Sequence, residues 1–375
     1  MKVIADRDIP FLRGVIEPYA EVKYLGGGSI CAADLRDAGA LIIRTRTRCD
    51  ESLLHDSTVR FIASATIGFD HIDTAYCDAH GITWTTAPGC NSSSVRQYVA
   101  AALLVLAERR AMDLSGMTIG VVGVGNVGSK VAALCGALGM RVLLNDPPRE
   151  RHEGSSAFTP LSELVRTADI VTLHVPLNTD GVDKTLHMVS HDLLTACKPG
   201  QILINTSRGE VVESGALKQA LRRGDLAACV LDVWESEPAI DRELLALTAI
   251  ATPHIAGYSA DGKANGTAMS VQALSRFFRL PLDNWFPANI PVPADPMLPL
   301  DGSAPTAQQV ITAAVRATYD IEADDCQLRA NPDAFERQRS EYPIRREFHN
   351  YFFRQSQVPS GIGGQLAAVG FSPAA

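Results

Sequence analysis

The sequence predicts an α/β protein: two doubly wound parallel sheets followed by a small α+β domain at the C-terminal end. Three observations predict it. Short β-like runs alternate with helix-length segments through residues 1–90 and again through 117–252, the pattern of parallel strands joined by crossover helices. A Gly-x-Gly-x-x-Gly sequence, Gly123 to Gly128, stands between a strand candidate and a helix candidate. Near residue 285 the texture changes. Six prolines fall between Pro287 and Pro305, where neither helix interior nor central strand tolerates them.

The elements follow in order. Lys2–Ala5, Leu41–Arg44, Phe61–Ala65 and Ile82–Thr85 are the strand candidates of the first stretch. An Ala/Leu/Val-rich segment then runs to Arg110 behind Asn91-Ser92-Ser93-Ser94, which caps it as a helix joining two domains. Met117–Val122, Arg141–Leu144, Ile170–His174, Ile202–Asn205, Ala228–Leu231 and Ala249–Thr252 supply the six strands expected of one doubly wound sheet. Pattern returns after Val310, so residues 286–375 read as a separate small domain behind a stiff connector.

Composition narrows the function classes. The 375 residues carry 34 Lys plus Arg against 42 Asp plus Glu, a net charge of −8, with 46% apolar residues. That length suggests two or three domains. An acidic chain argues against nucleic acid or an anionic membrane as partner, while a small anion needs only a local cluster of donors. No signal peptide fits the N-terminal segment. The apolar stretch Val99–Ala107 is far shorter than the ~20 residues of a membrane span. Eight scattered cysteines without a CxxC pair read as reduced, buried thiols of a cytoplasmic protein, with neither disulfide frame nor metal site.

The glycine sequence carries the cofactor argument. Gly123, Gly125 and Gly128 suit a tight turn, close backbone approach to a pyrophosphate, and close helix–strand packing; Asn126 and Val127 open the helix. The helix N-terminus then offers N–H groups and a positive dipole end to phosphates. Asp146 ends the next strand 23 residues beyond Gly123, placed for ribose hydroxyls and against a 2′-phosphate. This favours NAD over NADP, with nearby Arg149 as the contrary sign.

Three later segments end strand candidates: Asn205-Thr206-Ser207-Arg208-Gly209, Asp232-Val233-Trp234-Glu235-Ser236-Glu237-Pro238, and Thr252-Pro253-His254-Ile255-Ala256-Gly257-Tyr258. Ligands of open α/β sheets bind outside the carboxyl ends of strands, so the three loops can converge. Oxidising an alcohol to a ketone needs a base for the hydroxyl proton and a cation for the substrate carboxylate. His254 suits the first and Arg208 the second. A carboxylate beside the histidine would orient it, and Glu235 and Glu237 are equal candidates on chemistry alone. His174 and His187 read as structural.

Together these motifs, with His174-Val175-Pro176-Leu177, resemble the D-isomer-specific 2-hydroxyacid dehydrogenases over about residues 40–280. The resemblance implies that Arg208, Glu237 and His254 are catalytic. It implies NAD contacts at Gly123, Gly125, Asn126, Val127, Gly128, Asp146, Val175, Thr206, Ser207, Arg208, Asp232 and Gly257. It also implies a substrate domain split over 1–93 and 257–285, an inserted NAD-binding Rossmann domain over 94–256, and an extra domain over 286–375. Two departures stand out: Arg96-Gln97 where Ala-Glu is usual, and Val175 where threonine is common.

The ends of the chain resemble one branch of that family. The residues are the Arg44-Thr45-Arg46-Thr47-Arg48 run, Ala65-Thr66-Ile67-Gly68-Phe69-Asp70, and Tyr342-Pro343-Ile344-Arg345-Arg346-Glu347-Phe348. This implies a homodimer through the C-terminal domain and a small phosphorylated 2-hydroxy acid as substrate. That substrate would be 4-phospho-D-erythronate, oxidised to 3-hydroxy-2-oxo-4-phosphooxybutanoate on the way to pyridoxal phosphate. It implies substrate contacts at Thr45, Thr66 and Tyr258, and backbone N–H groups near Gly68 would meet the carboxylate. Arg44 or Arg46 would take the phosphate on grounds of charge and forked donor geometry; as same-face residues of a strand, alternation does not separate them. Other readings stay open. The chain could act on 3-phosphoglycerate or on hydroxypyruvate and glyoxylate, or serve as a non-catalytic NAD-sensing corepressor or scaffold.

Overall fold

Five parallel strands make the sheet of the first of two units into which the chain divides. They are β1 (Lys2–Asp6), β2 (Glu21–Leu25), β3 (Ala40–Ile43), β4 (Phe61–Ser64) and β5 (Thr83–Thr85), in the order β2-β1-β3-β4-β5. The computed structural model describes residues 1–154, 156–300, 306–359 and 361–374. The first unit comprises Met1–Asn91 and Ser259–Pro291; the second comprises Ser92–Tyr258 and the chain from Val292 onward.

In the first unit β3 and β4 are buried along their whole length, which is why they read as continuous apolar runs. The edge strand β2 escaped the sequence reading. Its Glu21-Val22-Lys23-Tyr24-Leu25 interleaves charged with apolar residues, the composition that keeps an edge strand soluble but mutes its β signal. The helix Ala260–Phe278 returns to this unit, with the Ser259 hydroxyl accepting from the Gly262 N–H at 2.8 Å at its start. Its Val271 and Leu274 pack with Val3, Ile42 and Phe61. At Gly266 it presses on the loop after β4, where a Cβ would come within 2.5 Å of the Ala65 carbonyl oxygen.

One expectation needs correcting here. β3 ends at Ile43, and residues 44–48 form a turn at its carboxyl end, with a bridge at Cys49. Arg44 and Arg46 therefore share no strand face. β3 itself lies inside the sheet, between β1 and β4.

The second unit holds β6 (Thr118–Val122), β7 (Arg141–Asn145), β8 (Ile170–Leu173), β9 (Gln201–Asn205), β10 (Leu226–Leu231) and β11 (Ile250–Ala251). All pair in parallel, in the order β7-β6-β8-β9-β10-β11, and a parallel bridge from Leu144 to Phe158 extends the β7 edge. The six expected strands are all present. Order reverses between β6 and β8, the switch point where such sheets bind ligands.

The helix Ser92–Arg110 runs through this unit with 14 of its 19 residues buried. A helix apolar on every side has to be covered on every side, and the C-terminal region supplies part of the cover. That region contains the helices Ala307–Arg316, Ile321–Ala330, Phe335–Ser340 and Ile362–Val369, and a short parallel ladder of Phe352–Phe353 with Ser372–Pro373. Leu298, Val310, Val315, Phe348 and Leu366 share one apolar core with Val99, Leu103, Leu106 and Leu134. Sequence texture sets the region apart, but its core is common with the second sheet. Pro305, the last proline of the connector, lies outside the described residues.

The same packing explains the Arg96-Gln97 departure. Gln97 Nε2 donates to the Arg346 carbonyl at 3.0 Å, and the Ser94 hydroxyl donates to Glu347 Oε1 at 2.9 Å. Burial pulls the Arg96 guanidinium down and the Glu347 charge counters it. The departing residues meet the C-terminal region.

None of the eight cysteines is in a disulfide, and five are buried; Cys31 and Cys326 are exposed, contrary to the reading of buried thiols. Among the described residues no helix is long and apolar enough to cross a membrane, and no group of three or more His, Cys, Asp or Glu is arranged to hold a metal ion.

Candidate active site

Every candidate residue of the second unit lies at or just beyond the carboxyl end of a parallel strand. After β6 the chain turns at Gly123, whose φ of +84° favours glycine and whose Cβ would sit 2.6 Å from the His174 carbonyl oxygen. Gly128, in the helix Asn126–Ala137, would drive a Cβ to 1.9 Å from the Gly123 carbonyl oxygen. Both glycines answer to the protein's own packing. Gly125 differs: a Cβ there meets nothing within 4 Å. It stands at the N-cap without a side-chain cap bond, where the first-turn N–H groups lack intrahelical acceptors. Open space over donor-rich backbone fits the pyrophosphate of a dinucleotide.

Asp146 serves the same loop. Its Oδ2 accepts from the Val124 N–H at 2.8 Å and its Oδ1 from the Arg149 N–H at 3.1 Å. A carboxylate has about four acceptor positions, so two bonds leave capacity for ribose hydroxyls. Arg149 is engaged elsewhere. Its Nε donates to Glu153 at 2.6 Å and its Nη1 to the Val124 carbonyl at 2.6 Å. With its charge paired to Glu153, the arginine adjacent to Asp146 is a poor receptor for a 2′-phosphate, and the loop fits NAD.

Beyond β8, Val175 packs on the glycine turn, its Cγ1 2.9 Å from where a Gly123 Cβ would stand. His174 bonds hydroxyls through both ring nitrogens, Thr172 Oγ1 at 3.0 Å and Thr206 Oγ1 at 3.3 Å. Burial pushes its pKa down to about 3, so the ring is neutral at ordinary pH. Beyond β9, Asn205 shapes the turn that presents Thr206, Ser207 and Arg208. Its Oδ1 accepts from the Ser207 N–H and hydroxyl at 3.0 and 2.7 Å, and its Nδ2 donates to the Arg208 carbonyl at 2.8 Å. Gly209 lets this turn lie on the next loop, since a Cβ there would come within 2.0 Å of the Trp234 carbonyl carbon.

The two glutamates that chemistry left equal are separated by the fold. Glu237 Oε2 lies 2.8 Å from His254 Nδ1, and Glu237 Oε1 accepts from the Trp234 N–H at 2.9 Å. Glu235 turns away, to His187 Nε2 at 2.6 Å and the Ser214 N–H at 2.9 Å. Burial pushes the Glu237 carboxyl up, but the His254 bond and charge, the Trp234 N–H and the Arg339 cation together hold it below the usual carboxylate range. An ionised Glu237 only accepts, so Nδ1 of His254 carries the proton of that bond. Nε2 is then the nitrogen available as a base.

Asp232 is buried, and its carboxylate orders the turn of His254. Oδ1 accepts from the Thr252 hydroxyl and the Ile255 N–H, both at 2.7 Å, and Oδ2 from the Ala256 N–H at 2.9 Å. Tyr98, from the long buried helix, holds Thr252 from the other side at 2.7 Å. Gly257 and Tyr258 close this turn. The Arg339 guanidinium lies 5.9 Å from the Tyr258 ring centroid. Arg339 and Tyr98 went unnoticed in the sequence, because a cation 85 residues away and a tyrosine inside an apolar helix carry no local signal.

The substrate candidates Arg44, Thr45, Arg46, Thr66 and Gly68 belong to the first unit, on the loops after the paired strands β3 and β4. Thr66 Oγ1 lies 2.8 Å from Ser64 Oγ, which is 3.2 Å from His71 Nε2. Arg44 is drawn into an ion pair: Nε lies 2.9 Å from the buried Asp6 carboxylate and Nη2 3.2 Å from Asp8. Thr45 and Arg46 are exposed in the same turn.

Residues 94–256 match the model of the D-isomer specific 2-hydroxyacid dehydrogenase NAD binding domain. Residues 291–370 match a second model described only as a domain of unknown function. The chain is 52% identical over 348 residues to erythronate-4-phosphate dehydrogenase of Bacteroides fragilis, covering 92% of this chain and 97% of that one. It is 40% identical over 375 residues to the Yersinia pestis protein of the same name, covering 99% of each. Among solved structures, D-lactate dehydrogenase from Aquifex aeolicus, complexed with NAD and lactic acid, superposes with a TM-score of 0.64 at 28% identity. That match covers 76% of this chain and 97% of that one. An NAD-bound 3-phosphoglycerate dehydrogenase from Entamoeba histolytica shares the fold at a TM-score of 0.64 and 22% identity, covering 77% and 98%.

Proposed function

The chain belongs to the D-isomer-specific 2-hydroxyacid dehydrogenase family, and on that premise we propose that it oxidises 4-phospho-D-erythronate to 3-hydroxy-2-oxo-4-phosphooxybutanoate, in the direction of pyridoxal phosphate. Relatives named for erythronate 4-phosphate, similar over nearly the whole chain, support this substrate. The observation that carries the chemistry is the 2.8 Å bond between Glu237 and His254 Nδ1. It orients the imidazole, assigns its tautomer and stabilises the imidazolium that forms when Nε2 takes the C2 hydroxyl proton. Gly123–Gly128 and Asp146 would hold NAD⁺, which when bound would supply the acceptor for the C2 hydride.

Arg208 binds the substrate carboxylate and polarises the forming carbonyl, a task suited to a guanidinium that stays charged and donates as a fork. Thr45, Thr66, Gly68 and Tyr258 are assigned to the substrate. Arg44 and Arg46 are both candidates for its phosphate, on grounds of charge and forked donor geometry. The protein is read as a cytoplasmic homodimer joined through its C-terminal region. A scaffold or corepressor would have no use for an ionised glutamate aimed at a histidine.

NADH formation from NAD⁺ and 4-phosphoerythronate, compared with 3-phosphoglycerate and run with a 2-oxo acid to reoxidise retained NADH, tests the substrate. A preference for 3-phosphoglycerate would overturn it. His254→Ala should lower kcat by ~10²–10⁴-fold while NADH still binds; near-normal turnover would remove His254 from its role.

A further inference from the structure

We propose that Arg345, contributed by the C-terminal region, is a positioning residue that fixes His254 by holding the carbonyl side of its turn. The inference rests on the assignment of His254 as the base.

His254 sits at a φ of +56°, a conformation that a residue with a Cβ keeps only where its surroundings over-determine it. Two groups do so from opposite sides. Asp232 takes the N–H groups of Ile255 and Ala256 at 2.7 and 2.9 Å. Arg345 Nη2 donates to the carbonyl oxygens of the same two residues, at 3.1 and 2.7 Å. The backbone just after His254 is thus held by an acceptor at one face and a donor at the other. Neither Asp232 nor Arg345 is adjacent to it in sequence.

Arg345 is itself fixed. It is 5% exposed, with its guanidinium carbon 4.3 Å from the Tyr319 ring centroid and 5.6 Å from that of Tyr342. The hydroxyls of both tyrosines donate to Asp324 Oδ2, at 2.9 and 2.7 Å. Burying a guanidinium is costly unless its donors and charge are met. Here two aromatic faces and a nearby carboxylate meet the charge and Nη2 goes to the catalytic turn, while Nε has no hydrogen-bond partner among the described residues. Apolar residues would have joined the C-terminal region to the sheet at lower cost, as Val310 and Phe348 do. What an arginine adds is a directed donor, and its target is the turn that aims His254 Nε2.

The test compares full-length Arg345→Met and Arg345→Lys with the parent. Arg345→Met should lower kcat by ~10²-fold, the loss expected when a reacting group moves by about 1 Å. KM for the hydroxy acid and the affinity for NADH should stay within about threefold, because a positioning residue touches neither. Arg345→Lys, which still donates to carbonyls, should recover kcat to within about tenfold of the parent. The imidazole Nδ1–H resonance of His254, assigned by its loss in His254→Gln, should shift or broaden in Arg345→Met and return in Arg345→Lys.

A folded Arg345→Met with kcat within about twofold of the parent and an unshifted resonance overturns the proposal. So does an equal fall in kcat and Tm in both variants, the mark of a merely structural role. If Arg345→Met fails to fold, Arg345→Lys and its resonance decide alone. If the parent oxidises no 2-hydroxy acid, the proposed function fails while the resonance still tests the clamp.

Discussion

Arg44 and Arg46 stand two residues apart with the same side chain, yet the fold gives them different work. Arg44 compensates Asp6, a carboxylate with no solvent exposure. Removing one partner of a charged, largely buried hydrogen bond leaves the other uncompensated. Arg44→Ala should therefore destabilise the protein by about 1–3 kcal/mol, read from denaturant midpoints. KM for the phosphorylated acid, measured in Arg44→Ala and in Arg46→Ala, decides which of the two takes the phosphate: a rise of at least about tenfold is expected in one of them. An Arg44 variant as stable as the parent would remove Arg44 from the task of compensating Asp6. Spacing could not separate these arginines because the distinguishing partner, Asp6, sits 38 residues earlier on a neighbouring strand. Glu235 and Glu237 teach the same lesson. Both are acidic, two apart and 17 to 19 residues before His254, and the path of the loop brings Glu237 to it.

Glycine placement and a partly buried histidine set the properties of the elements. Gly125→Ala meets no steric obstacle in the protein, so melting of the cofactor-free enzyme should be unchanged while the NADH dissociation constant rises by at least about tenfold. Gly128→Ala, with its Cβ forced to 1.9 Å from a carbonyl oxygen, should lose stability and cofactor binding together. Equal behaviour of the two variants would refute the cradle. His174, at the end of β8, makes stability depend on pH. The unfolded chain protonates this histidine below about 6.5, whereas the folded protein resists until about pH 3. Between those values the unfolded state binds more protons, so stability falls as pH falls, by up to ~1.4 kcal/mol per pH unit. Unfolding free energies from pH 7 to 4 should show that slope, and His174→Gln should flatten it. The glycine spacing and the strand ends were legible because backbone conformation and periodicity are local. The edge strand β2 was not, since its charges serve solubility rather than burial.

For the molecule as a whole, the shared core makes a firm demand. A chain stopped after Pro291 would uncover Val99, Leu103 and Leu106 on the buried helix, along with the Ala251 N–H that donates to Asp325 at 2.7 Å. Such a truncation should be insoluble or lose cooperative melting, as near-UV circular dichroism would show. A soluble product with cooperative melting would mean that the second sheet folds without the C-terminal region.

By itself the sequence determined the two parallel sheets, the glycine cradle with its acidic partner, and the ordered motifs that carry Arg208, Glu237 and His254. Each of these rests on periodicity, on turns that favour glycine, or on residues a few positions apart. The resemblance singled out Glu237, and the tertiary structure shows it bonded to His254; only the tertiary structure decided which arginine compensates Asp6, and that the C-terminal region reaches the turn of His254 through Arg345. Those contacts join residues 17 to 90 positions apart, where burial, charge pairing and directed hydrogen bonds act only once the chain has packed.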